Sequence, residues 1–170
     1  MRSSGASSLQ PQRRLFLLGR VVSRTFPRPP GTLPDADLAS QCDACGLCAQ
    51  ACPSHIIVMT ERLPRLDFSA GECTFCQRCG EACPTGAIRP SEERRLSWQA
   101  TIGAACLAIR GVECRTCGEH CDARAIRFRP VAGRPRLPEV DPESCTGCGA
   151  CMAPCPTAAI EFNPMTECTA

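Results

Sequence analysis

The sequence predicts an α+β fold of two small tandem modules, with short hairpins and cores organised around cysteines, preceded by a flexible basic arm. Three observations predict it. Cysteine supplies 17 of the 170 residues while the aromatics are six Phe, one Trp and no Tyr, so a large aliphatic-aromatic core cannot form and something else must hold the chain. One tight cysteine spacing recurs along the chain, and its copies group into two pairs. Charge is uneven: residues 1–30 carry Arg2, Arg13, Arg14, Arg20, Arg24 and Arg28 with no acid, whereas the other 13 arginines face 17 acids.

The first segment, residues 1–37, reads as the basic arm followed by a proline-rich linker, TFPRPPGTLPDAD at 25–37. Arg13-Arg14-Leu15-Phe16-Leu17 has the opening of a twin-arginine export signal, but Gly19-Arg20 interrupts the apolar run and no cleavage site follows. The arm is equally compatible with a disordered tail and with a docking element whose Leu15, Leu18 and Val22 form an apolar stripe among arginines. Apolar runs are short throughout, so no membrane-spanning helix is expected. The acidic body leads us to expect no nucleic-acid partner.

Residues 38–90 hold two copies of the repeat: Cys42, Cys45, Cys48 and Cys52-Pro53, then Cys73, Cys76, Cys79 and Cys83-Pro84. Residues 91–165 hold two more. Unit four, Cys145, Cys148, Cys151 and Cys155-Pro156, is regular. Unit three keeps Cys114, Cys117 and Cys121 but has Gly111 in place of the first cysteine and Asp122 in place of the proline. It remains a member of the repeat, because every unit places an isoleucine five residues after its fourth cysteine: Ile57, Ile88, Ile126 and Ile160. The segments AIRF and AIEF after units three and four read as strands. Matching strands are expected before units two and four, at 66–68 and in the stretch ending at Val140, each ending five residues before the next first cysteine. PVAGRPRLP at 130–138 reads as a hairpin loop. Between units two and three, Leu96, Ile102, Ala105 and Ile109 have the spacing of an amphipathic helix. Residues 166–170 form a tail containing Cys168, read as a free thiol.

The run C-x2-C-x2-C-x3-C-P carries a definite chemistry. Three cysteines at steps of three lie on one tightly turning loop, where their sulfurs converge on three corners of a cubane 4Fe–4S cluster. The proline turns the chain away after the fourth cysteine, which in two-cluster ferredoxins ligates the partner unit's cluster. Zinc sites use paired C-x2-C units across a longer loop, and packed C-x2-C-x2-C triples are poor material for disulfides. Ferredoxin-like modules are therefore expected. Cys42, Cys45, Cys48 and Cys83 would hold one cluster and Cys73, Cys76, Cys79 and Cys52 a second. Cys145, Cys148, Cys151 and Cys121 would hold a third. A fourth would have Cys114, Cys117 and Cys155 and lack a ligand, for which Cys106 is the available thiol. At this stage the alternatives are a relocated ligand, a cluster with water or an external fourth ligand, or an empty site with an inert Cys106. His55 and His120 read as exposed loop residues or as neighbours that tune a cluster. No nucleotide loop and no nucleophile–base arrangement is present, so an enzyme is not expected.

The chain resembles the NapF family, the ferredoxin-type accessory proteins of periplasmic nitrate reductase systems. The resemblance rests on Arg13-Arg14, on the three regular units, on Thr101-Ile102-Gly103 leading to Cys106-Leu107-Ala108, and on the irregular unit from Val112 to Cys121. It implies a cytoplasmic protein with several 4Fe–4S clusters. It implies that the partner is the precursor of the nitrate reductase catalytic subunit, which is helped to acquire or retain its own cluster before export. The rival expectation is a simple electron-transfer subunit of a redox complex.

Overall fold

The computed structural model describes residues 26–165; the arm with its twin arginines and the tail with Cys168 lie outside the described residues. The chain is a mixture of small helices and strands. In order these are α1 (Asp35–Gln41), α2 (Leu47–Ala51), β1 (Ile57–Thr60), β2 (Leu63–Leu66), α3 (Arg78–Glu81), β3 (Trp98–Ile102), α4 (Thr116–Glu119), β4 (Ile126–Val131), β5 (Arg134–Val140) and β6 (Ile160–Pro164). They make three two-stranded antiparallel sheets, β1–β2, β3–β6 and β4–β5.

Both halves follow one plan. Two cysteine units flank a hairpin, and the strand before the first unit pairs with the residues after the second. In the second half this outer pair is β3–β6, with Ile102 opposite Ile160. In the first it shrinks to one bridge, Thr32 opposite Ile88. The same backbone bond closes both: Leu33 N–H donates to Ala87 O at 3.1 Å, and Gly103 N–H to Ala159 O at 2.7 Å.

The repeat is legible in backbone angles. The third residue after each fourth cysteine is left-handed: His55 (φ 51), Gly86 (φ 68), Arg124 (φ 50) and Ala158 (φ 48). This bend turns the chain so that the isoleucine two residues later points inward; Ile57, Ile88, Ile126 and Ile160 are all buried. In the regular units the residues on either side of the second cysteine are left-handed too, as at Ala44 (φ 61) and Gly46 (φ 76) or Gly147 (φ 73) and Gly149 (φ 87). Unit three departs here: Arg115 has φ −133. In this unit Gly111 stands where the regular units have their first cysteine.

The structure corrects four expectations. The segment between units two and three is not a helix: Trp98–Ile102 is a strand, with Ala100 buried and Trp98 opposite Pro164. The proline-rich stretch is no free linker where it is described. Leu66 N–H donates to Pro27 O at 2.8 Å, Arg28 pairs with Asp35 at 3.0 Å and donates to Pro64 O, and Arg65 lies over the Phe26 ring. The strand expected at 66–68 ends at Leu66, which is the structural counterpart of Val140: Asp67 N–H donates to Ile56 O as Asp141 N–H does to Ala125 O, both at 2.7 Å. Two extra residues therefore separate the first hairpin from unit two, and Phe68 is released from the sheet. The expected loop at 130–138 is a hairpin with strands reaching to Val131 and from Arg134.

The packing leaves little slack beside the cysteine loops. A β-carbon on Gly80, which follows Cys79, would meet the backbone of Arg89 and Pro90 at 2.5–2.6 Å. Backbone cannot swing aside as a side chain can, so Gly80→Ala should cost about 1–3 kcal/mol and lower the melting temperature by several degrees. Thermal unfolding of the loaded protein measures it.

Candidate metal centres

Two of the expected cysteine quartets line cavities directly. Cys52, Cys73, Cys76 and Cys79 line one. Cys121, Cys145, Cys148 and Cys151 line another. In each, three sulfurs come from one loop and the fourth from the partner unit. No three His, Cys, Asp or Glu side chains among the described residues gather about a single-ion position.

The other two quartets are legible through electrostatics and packing. Cys48 is pushed up chiefly by burial, and further by the like charges of Cys42, Cys45 and Cys83. The first-unit set is therefore brought together. Cys117 is pushed up to about 11, first by burial and then by Cys106 and Cys114. Cys106 is buried with Ala108 and Ala159, and Cys155 packs against the same group. The structure thus brings Cys106 to Cys114, Cys117 and Cys155. It arrives from the turn after β3, where Arg110 N–H donates to Cys106 O at 3.0 Å and Val112 N–H to Leu107 O at 2.8 Å. In the first half the corresponding connector is α1, which leads directly into Cys42.

Two of the fourth cysteines, Cys83 and Cys155, differ from the buried loop cysteines. Burial raises Cys83 and Cys155, but donors outweigh it and both thiols end below their ordinary value. Ile88 N–H reaches Cys83 Sγ at 3.4 Å and Ala159 N–H reaches Cys155 Sγ at 3.3 Å. Thr85 and Thr157 hydroxyls lie 3.6 and 3.8 Å from the same sulfurs. Sequence reasoning missed these threonines; the C-P-T triplets of units two and four were the available signal. Such donors favour thiolate and help set a cluster's potential. His55 and His120 are exposed; His120 Nδ1 lies 2.9 Å from Thr116 O, and neither ring lines a quartet.

In the bare fold Cys73 and Cys79 are pushed up to about 11 and Cys151 to about 12, in each case mainly by burial. Ligation requires thiolate, so loading must displace the protons that burial helps these thiols keep. Loading should therefore strengthen as pH rises toward those values and weaken as pH falls. Anaerobic reconstitution should reach a lower iron content at pH 6.5 than at pH 8.5; equal loading would contradict proton release on ligation by these thiols.

A family model described as a 4Fe–4S dicluster domain matches residues 41–87 and again 111–159. The ferredoxin-type protein NapF of Haemophilus influenzae is 38% identical over 141 residues, spanning 82% of this chain and 80% of that one. The protein of the same name from Escherichia coli K12 is 39% identical over 134 residues, spanning 78% and 82%. The chain belongs to the ferredoxin-type NapF family. A methylamine utilization ferredoxin-type protein, MauM, of Paracoccus denitrificans is 36% identical over 165 residues, spanning 82% and 74%.

NapF membership and the quartets agree on the cofactor: this is an iron–sulfur protein binding several 4Fe–4S clusters. The residues fit that group. Each cavity offers four sulfurs and predominantly apolar walls; in the other two quartets N–H donors are aimed at the sulfurs of Cys83 and Cys155. Within this NapF-type chain, the second dicluster match begins at residue 111 and so leaves out Cys106, which only the folded arrangement joins to unit three.

Proposed function

We propose that the chain is a non-catalytic, cytoplasmic accessory factor that helps the catalytic subunit of a periplasmic nitrate reductase gain or keep its own cluster before export. The observation that carries the reading is the likeness to NapF proteins across about four-fifths of both chains. Within it, the sixteen described cysteines are the ligands: Cys42, Cys45, Cys48 with Cys83; Cys73, Cys76, Cys79 with Cys52; Cys145, Cys148, Cys151 with Cys121; and Cys106, Cys114, Cys117 with Cys155. Bound there, the clusters supply one-electron chemistry. The protein's part is to hold them in apolar walls, to aim N–H and hydroxyl donors at particular sulfurs, and to present them to a partner. The proposed organisation is arm and linker over 1–37, one module over 38–90 and a second over 91–165. Among the described residues no helix is long and apolar enough to cross a membrane.

A plain electron carrier would use the same sites, and the MauM likeness shows that related chains bear names from a different metabolic system. Loss of the protein separates the readings. Deleting it from a host that makes the reductase should leave the catalytic subunit short of iron. A fully clustered subunit that merely receives no electrons would favour the carrier. The basic arm is proposed as the docking element. The client precursor should co-purify with the full chain and be lost when residues 1–24 are removed; undiminished binding would sink the arm's role.

A further inference from the structure

We propose that Phe68, Phe162 and Gly149 clamp the unit-two site against the unit-four site, so that the four cluster sites stand in one unbranched series: unit one, unit two, unit four, unit three. This rests on the ligand sets above, which by crossed ligation join unit one to unit two and unit three to unit four.

The join between the halves is built by the chain itself. Cys73 N–H donates to Cys148 O at 2.8 Å, a direct bond between cysteine loops of different halves. Next to it, Leu96 N–H donates to Thr146 O at 2.9 Å. Phe68, released from the first hairpin, lies with its ring centroid 5.0 Å from that of Phe162 on β6. It also covers Gly149, held left-handed at φ 87, where a β-carbon would overlap the Phe68 ring. A left-handed glycine without a side chain is what allows the ring to lie on the unit-four loop. Met152 and Phe162 pack on the apolar clusters of both halves. Burial is the main reason the Cys73 thiol is raised, and Cys148 adds to it alongside Cys52 and Cys76.

The opposite ends of the series look different. The large apolar side chains left exposed among the described residues are Leu47, beside Cys48, and Ile109 and Val112, on the turn between Cys106 and Cys114. All three sit at units one and three. In unit four Cys145 and Cys151 are buried and Cys148 is half-buried. Cysteine exposure itself does not grade along the series, since Cys45 of unit one and Cys76 of unit two are both exposed; it is the contacts between units two and four that join the two modules into one body.

The test is the magnetic coupling between clusters in the fully reduced, loaded protein, read by electron paramagnetic resonance with iron counted on the same samples. Cys45→Ala removes the unit-one cluster. It should leave about twelve irons and no isolated cluster, because unit two still neighbours unit four. Cys76→Ala removes unit two and should leave unit one with a narrow, uncoupled signal. The mirror pair reads the same contact from the other side: Cys114→Ala leaves none isolated, and Cys148→Ala isolates unit three. A narrow uncoupled signal in Cys45→Ala or Cys114→Ala would overturn the series. An iron count still near sixteen in these variants would instead refute the ligand sets, and with them the series. The clamp has its own readout. Adding Phe68→Ala to Cys45→Ala should keep the iron and release a narrow signal from unit two; unchanged coupling would overturn the role of Phe68.

Discussion

Replacing Cys106 by serine should lower the iron content from about sixteen to about twelve per chain, and the other three clusters should keep their spectra. The loss follows from geometry. Cys106 is buried against Ala108 and Ala159 beside Cys155, and its charge acts on Cys117. Gly111 stands where the regular units have their first cysteine, so no other thiol among the described residues is placed to complete the set. Its φ of 91 carries the chain out of the turn and back toward Cys114. A three-sulfur site retains one unliganded iron and is the easiest to lose. The substitution also tests the fold locally. Ile126 packs in the cluster of Cys117 and Ala159 in that of Cys106, so the second half should melt earlier than the first, whose quartets are untouched. Serine at 168, outside the described residues, should leave iron unchanged. An unaltered iron count and spectrum in the Cys106 variant would show that the relocated-ligand idea is wrong.

Stripping the iron should unfold the chain, with loss of most circular dichroism signal and of any cooperative melting transition. Among the described residues seven cysteines are buried and are themselves part of the apolar core, so the groups that would normally be sealed by hydrocarbon are here sealed by metal. The remaining core is thin: outside the cysteines it rests on residues such as Leu38, Ile56, Ile88, Phe68 and Ile160. A structural metal site contributes on the order of 10 kcal/mol to folding, about the whole stability of an ordinary domain. Losing several such sites exceeds what three two-stranded sheets can supply, since isolated hairpins are marginal. A stripped protein that kept its strands and melted cooperatively would refute this account of stability.

Much of the candidate site was legible because it is local. The three regular units declare their loops by spacing alone, and the recurring isoleucine marked unit three as a full member despite its missing cysteine. The folded chain adds the cause: Arg124 keeps the same left-handed bend as its counterparts, so Ile126 turns inward as they do. What escaped the sequence is non-local. Trp98–Ile102 was masked by apolar residues at helical spacing, and its partner strand lies about sixty residues away, at Ile160–Pro164. The prolines of 27–34 suggested a linker, yet that stretch is fastened by Arg28 and by the bridge from Thr32 to Ile88. Spacing to the next cysteine placed Phe68 in a strand, whereas the inserted residues free it to reach Phe162. No pattern within either half announces the bond from Cys73 to Cys148.

The central claim is that four quartets, one completed by Cys106, each hold a cubane cluster. Anaerobic reconstitution followed by iron and acid-labile sulfide counting, with electron paramagnetic resonance of the reduced protein, tests it most directly. About sixteen irons and sixteen sulfides per chain are predicted, with four spins on full reduction. About twelve of each, with three spins, would leave unit three empty and contradict it.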